Sequence, residues 1–222
     1  MRIGGRPARA AVVLLAAALS PAGVQAQGPR PKPPGPFVVD VRGASVGTPQ
    51  KLQFYPAIPG DTQVPARGFG FETGVHVYPI PWGSRRIGFG VDAFLSRATA
   101  STPAPASATT TGAASSSTND ATASTPVTFP DIQVTTTGLV PSVSLNFGTA
   151  GGWSYLALGA GAVRVRSEAI GVGELTTSKA SLSIGAGARW FMNDHLGVGF
   201  DLRALTFSTR ALFAASAGFS LK

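Results

Sequence analysis

The chain has 222 residues, of which 13% are charged, 28 are glycine, 18 are proline and none is cysteine. That charged fraction is well short of the ~25% usual in soluble domains, and there is no long apolar helix, so composition points to one barrel-type domain or a modest two-domain protein. The absence of cysteine excludes a disulfide framework, leaving backbone hydrogen bonding and packing to hold the fold.

The N-terminus reads as a secretory signal peptide over residues 1–26. Arg2, Arg6 and Arg9 precede the apolar run Ala10 to Leu19, and Val24-Gln25-Ala26 supplies a small-residue cleavage site. The run is too short to span a bilayer as a helix. Removing three arginines from 18 basic residues leaves 15 against 10 acidic ones, a net charge of +5. A basic chain that is exported has little access to nucleic acid. Residues 27–36 form a proline-rich leader with polyproline-like character.

From Phe37 the chain alternates with period two. The first strand sets Phe37, Val39 and Val41 against Val38, Asp40 and Arg42 and fades at Gly47-Thr48-Pro49, with a loop to Pro65. The second, Arg67 to Tyr78, places Phe69, Phe71, Thr73, Val75 and Val77 opposite Gly70, Glu72, Gly74 and His76. Pro79 to Ser84 reads as the turn into a third strand with Ile87, Phe89, Val91, Ala93 and Leu95 on one face and Gly88, Gly90, Asp92 and Phe94 on the other. Residues 97–129 are a low-complexity Ser/Thr/Ala tract, predicted to be a disordered external loop.

The fourth strand runs from about Ile132 to Phe147, with Pro141 marking a bulge or local break because it lacks a ladder donor. Trp153 to Arg166 forms a fifth strand, and a loop continues through Glu174. The longest alternation follows. Ala180, Leu182, Ile184, Ala186, Ala188 and Trp190 oppose Ser181, Ser183, Gly185, Gly187 and Arg189. After Met192 to His195 the pattern restarts with Leu196, Val198, Phe200, Leu202 and Ala204. Strands of about 10 residues with one apolar face and one small or polar face suit a tilted bilayer crossing, with Val198 near the middle of the wall. An eighth strand runs from Thr209 to Leu221.

The predicted fold is therefore all-β, an eight-stranded antiparallel up-and-down transmembrane barrel over 37–222. Long loops after strands one, three and five and short turns after strands two, four and six put both termini on the periplasmic side. Phe37, Tyr78, Trp82, Phe147, Trp153, Tyr155, Trp190, Phe191 and Phe219 read as a periplasmic aromatic girdle, and Phe94, Phe129 and Phe207 as a sparser external one.

With signal peptide, strand count and loop alternation in place, the chain resembles the small eight-stranded outer-membrane barrels of the OmpA-like and OmpW-like kind over about Phe37 to Lys222. It departs from them in ending Phe219-Ser220-Leu221-Lys222, with Leu221 in place of the usual terminal aromatic. The resemblance implies a monomer in the bacterial outer membrane, inserted by the barrel-assembly machinery, with outer-membrane lipid and lipopolysaccharide as its surroundings. No wall-binding domain is expected after the barrel.

Chemistry-bearing residues are few. Arg42, Glu72, Asp92, Asp201 and Arg203 fall inward at comparable heights and predict a salt-bridged interior plug, because eight strands enclose only enough room for side chains. Arg164, Arg166, Lys179 and Arg210 gather near the external mouth, where they could contact lipopolysaccharide phosphates or simply form a solvated rim. His76 and His195 have no partner at metal-ligand spacing, and the glycines of GFGFETG and GFGVD lie within strands instead of opening a helix, so no metal, cofactor or catalytic residue is assigned. The expected role is structural, adhesive or small-solute-handling, with no open pore. A lipid A-modifying barrel enzyme is one rival, and a soluble lipocalin-like barrel, whose outer face would be glycine and serine, is the other.

Overall fold

The computed structural model describes residues 35–56, 63–101 and 131–222. The predicted signal peptide, the predicted leader up to Pro34 and residues 102–130 of the low-complexity tract lie outside the described residues. Eight strands, β1 (Phe37–Gly47), β2 (Arg67–Trp82), β3 (Arg85–Ala100), β4 (Ile132–Thr149), β5 (Gly152–Ala169), β6 (Gly173–Phe191), β7 (Leu196–Phe207) and β8 (Arg210–Leu221), close in chain order into an antiparallel barrel. β8 pairs back onto β1 from Val39↔Leu221 to Val46↔Ala214, so the sheet has no free edge.

Alternation decides facing on every strand. Odd-numbered β1 residues and their counterparts elsewhere look outward, and the outer wall is apolar: Phe71, Leu158, Leu182 and Ile184 are each more than 60% exposed. On β3 this belt runs from Ile87 to Leu95, about 27 Å along the strand at ~3.4 Å per residue, and about 20 Å across a bilayer at ~40° tilt. Thr73, one of the hydroxyls on this wall, donates to the carbonyl of Asp40 at 3.0 Å and so offers hydrocarbon no unpaired donor.

The structure corrects several boundaries. β2 continues through Pro79 to Trp82 by absorbing a bulge between Val77 and Ile80. The amide of Tyr78 bonds to Pro36, Arg86 caps the Tyr78 carbonyl at 2.8 Å, and the turn shrinks to Gly83-Ser84, where Gly83 has φ +61°. β3 runs four residues into the stretch read as loop, because Arg97 to Ala100 keep ladder partners from Thr135 to Ile132 and Ala98 is buried. The predicted long loop after the fifth strand is instead a β-hairpin: β5 and β6 stay paired to Ala169↔Gly173 and turn through Ile170-Gly171-Val172. Long connections therefore follow only β1 and β3. At Pro141 the ladder to β5 is interrupted without a change of register, and Gly161 opposite the gap and Gly159 at its edge let the backbones approach. Val198 lies near the start of β7 beside Trp190 and Phe219, close to the end of the wall and not at its middle.

The aromatic reading is also corrected. Tyr78, Trp153 and Tyr155 point inward and are buried, and Phe191 packs on Trp153 with ring centroids 4.9 Å apart. Phe94 and Phe207 are buried inside the opposite end, and Phe129 is outside the described residues. Strand parity explains each case: these rings share a phase with inward neighbours, and height along the barrel alone does not put a ring in the wall. The outward aromatics near the termini are Phe37, Trp82, Trp190 and Phe219, all exposed, and Phe147, half-buried under the Arg85 guanidinium at 4.9 Å.

Candidate functional site

The interior is filled in three layers. At the termini end, Val38, Tyr78, Trp153, Tyr155 and Ala157 form a buried cluster, with Tyr78 edge-on to Trp153 at 5.7 Å. At the loop end, Val46, Phe54, Phe94, Ile132, Val163, Leu205 and Phe207 form a second one. Between them lies a network of buried charge.

Arg42, Glu72, Asp92, Asp201 and Arg203, singled out in the sequence, are all inward and at most 6% exposed. Arg42 contacts Glu72 at 3.5 Å; Arg203 reaches Asp92 at 3.0 Å, Asp201 at 3.3 Å and Glu72 at 3.6 Å. Three further residues join them. Asp40 accepts from both Nε and Nη2 of Arg189 and from the hydroxyl of Ser220, and it forms an ion pair with Nη2 of Arg42 at 2.8 Å. His76 Nε2 stands 3.3 Å from Asp40 and 3.2 Å from Asp92, linking the two halves. Arg189 also lies over the ring of Tyr155 at 4.4 Å, and the Tyr155 hydroxyl donates to Asp201 at 2.8 Å.

Four carboxylates thus face three guanidiniums and one imidazole, and the sum is zero when that imidazole carries two protons. Asp40, His76 and Arg189 share the inward phase of the others, so alternation alone could have found them. Estimated height hid Arg189, because the stagger of a barrel brings residues from different strand positions to one level. Glycines make the room: a Cβ on Gly88 would lie 2.5 Å from the Tyr78 ring, and one on Gly187 2.5 Å from the Tyr155 hydroxyl. Among the described residues no His, Asp and Glu group is arranged to hold a metal ion, and the carboxylates nearest His76 are already occupied by arginine.

The segment after β1 folds into the loop-end mouth. A 3-10 turn, Leu52–Phe54, lays Phe54 against Phe207 with centroids 5.2 Å apart, and Ser167 of β5 donates to the Phe54 carbonyl at 2.6 Å. Tyr55 donates to the Pro49 carbonyl at 2.6 Å; burial pushes its phenol up to about 12, which keeps it a neutral donor. Thr48 and Gln50 tie the segment to Pro65. Nothing in the sequence pattern signals this cap, since a loop carries no periodicity. A small space of about 110 Å³ remains between it and the β7–β8 turn, bordered by Lys51, Phe207 and Arg210.

The four basic residues read together from sequence divide by facing. Arg164 and Arg166 project outward from β5, and Arg166 pairs with Glu174 at 2.7 Å. Lys179 and Arg210 instead have the inward phase, opposite buried Val163 and Phe207, and stand exposed at the rim of the mouth. The structure therefore does not unite them.

A closed ring of eight antiparallel strands with an apolar wall and a filled polar interior has solved counterparts. Ail, the attachment invasion locus protein of Yersinia pestis, in complex with the heparin analogue sucrose octasulfate, superposes with a TM-score of 0.52 at 12% identity, covering 85% of this chain and 98% of Ail. The fold is that of the small eight-stranded outer-membrane barrels. Neisserial surface protein A (TM-score 0.45, 15% identity, 84% and 96% covered) and the N-terminal barrel domain of Pseudomonas aeruginosa OprF (0.42, 11%, 83% and 96%) are also similar in structure. No protein-family model matches the sequence, and no curated protein does.

Proposed function

We propose that this chain is an outer-membrane barrel that does its work at its surface, in a structural or adhesive role, and does not conduct solutes. The observation that carries the reading is the continuous filling of the lumen: a buried aromatic layer, a charge network with Asp40, Arg42 and Asp92 at most 1% exposed, and an apolar layer capped by Phe54. A path for ions would need buried ion pairs to separate, which costs several kcal/mol for each uncompensated charge. The outward apolar belt and the signal-peptide pattern of residues 1–26 support the membrane address, with assembly by the barrel-insertion machinery and a monomeric state. Ail has been crystallised with a heparin analogue, a precedent for ligand display by a barrel of this size.

The test is reconstitution into planar bilayers together with gel electrophoresis with and without boiling. The expected result is a heat-dependent shift in mobility and no steady conductance. A steady ohmic current, or passage of a small sugar into loaded liposomes, overturns the closed barrel. Recovery in the soluble fraction without detergent overturns the membrane address.

A further inference from the structure

We infer that the outer wall carries a binding site for the phosphate of an anionic lipid headgroup in the external leaflet, built from Arg97, Arg164 and Arg166; the inference rests on the membrane reading above. Register brings the three together. Arg97 of β3 is directly opposite Thr135 of β4, and Thr135 is directly opposite Arg166 of β5, so Arg97 and Arg166 lie two strands apart, about 10 Å at ~4.8 Å per strand. Arg164 sits one outward position lower, opposite Thr137 and Ser178. All three share the outward phase of the apolar wall, and the hydroxyls between them are further donors to phosphate oxygens.

The height of these side chains distinguishes a headgroup site from a merely solvated rim. Two residues below Arg97 is Leu95, and two below Arg164 is Ala162, both in the apolar belt. Two residues above Arg166 is Glu168, which pairs with Glu174. Signs are therefore sorted along the barrel axis: hydrocarbon-facing residues first, then guanidiniums, then carboxylates. A solvated rim selected only for solubility mixes its signs, whereas phosphates at the hydrocarbon boundary call for cations in that one layer and tolerate acids only beyond it. Glu174, itself bonded by Thr176 at 3.1 Å, holds one Nη of Arg166 and leaves the remaining guanidinium donors free. Arg97 and Arg164 have no ion-pair partner among the described residues. Guanidinium forks match phosphate oxygens in a bidentate way, which suits arginine over lysine here.

The experiment uses the full barrel in phosphatidylcholine nanodiscs doped with bisphosphorylated lipid A, with bound lipid counted by native mass spectrometry after detergent exchange. The triple variant R97Q/R164Q/R166Q should retain at least 10-fold less lipid A than wild type. K179Q/R210Q, which removes two charges from the inward-phased rim, should stay within twofold. The single variant R164Q should show an intermediate loss, and it stands in if the triple variant misfolds. Retention unchanged in R164Q, or an equal loss in K179Q/R210Q, overturns the site. Displacement of lipid A by inorganic pyrophosphate at matched concentration would assign the arginines to a soluble phosphate and overturn the lipid as occupant. Protein that folds and inserts but binds no lipid A rejects this inference alone, whereas protein that fails to insert rejects the membrane reading beneath it.

Discussion

Replacing Ile184 by arginine puts a guanidinium at mid-height on the outer wall. Ile184 is 61% exposed, lies midway between Ala180 and Trp190 on β6, and is flanked by Leu158 of β5 and Ala204 of β7. No carboxylate on the neighbouring outward positions can pair with it, and the side chain is too far from either end of the belt to snorkel without cost. The penalty for arginine at the bilayer midplane is about 2–4 kcal/mol and falls to about 0–1 near the interfaces. Val198 supplies the internal control: it is also outward, but it sits beside Trp190 and Phe219 in the aromatic layer at the termini end. Ile184→Arg should therefore lower the free energy of unfolding by about 2–4 kcal/mol and Val198→Arg by no more than about 1. Both are measurable by urea titration of protein folded into phosphatidylcholine vesicles, read by tryptophan emission and extrapolated linearly. Equal costs at the two positions, or a larger cost at Val198, would refute the assignment of depth, and no cost at Ile184 would refute the lipid-facing wall.

Two further perturbations test the interior and the connections. Asp40→Ala leaves Arg42, Arg189 and His76 without their shared carboxylate and should cost about 3–5 kcal/mol, whereas Ser220→Ala removes one hydrogen bond to that same carboxylate and should cost about 1.5–3; if the same urea titrations give the reverse order, Asp40 is not the hub of the network. Replacing residues 102–130 by Asn-Gly should leave the barrel folded and shift its stability by no more than about 1 kcal/mol, because Ala100 and Ile132 are already ladder partners; a variant that shows no heat-dependent mobility shift would contradict this.

The barrel itself was legible because the period-two pattern does two jobs at once, giving strand type and facing. Leu182, Ile184 and Leu202 look outward, and Ser183 and Arg203 inward, as the alternation requires. What escaped the sequence was whatever alternation does not encode. Height along the chain alone puts Tyr78, Trp153 and Tyr155 in the girdle, whereas their phase turns them inward. The β5–β6 hairpin was missed because Glu168, Glu174 and Thr176 look like loop residues, yet above the belt a strand needs no apolar face and can be polar on both sides. The cap at Phe54 rests on one aromatic contact and a few loop hydrogen bonds, none of which leaves a periodic trace. Of the interior network, the five residues read from sequence lie in one cluster; Asp40 and His76 follow from the same inward phase on β1 and β2, whereas the level of Arg189 depends on the stagger between strands, which only the register supplies.

That network also bears on how the chain avoids the wrong barrel. A one-residue slip of β1 against its neighbours would move Asp40 and Arg42 from the lumen into the wall and turn Phe37, Val39 and Val41 inward. Each charge stranded at the bilayer centre would cost at least about 2.5–3.5 kcal/mol on insertion scales, and the partners left behind on β2, β6 and β8 would be unpaired as well. An interior of alanine and valine would pack with less desolvation, but in hydrocarbon it would look much like the wall, and a slip would then go almost unpenalised. In water the apolar face of a strand has only one place to go, whereas in a bilayer it is the polar face that is confined. The buried ions of this barrel thus weigh against every register shifted by an odd number of residues, because each such register places a charge in lipid.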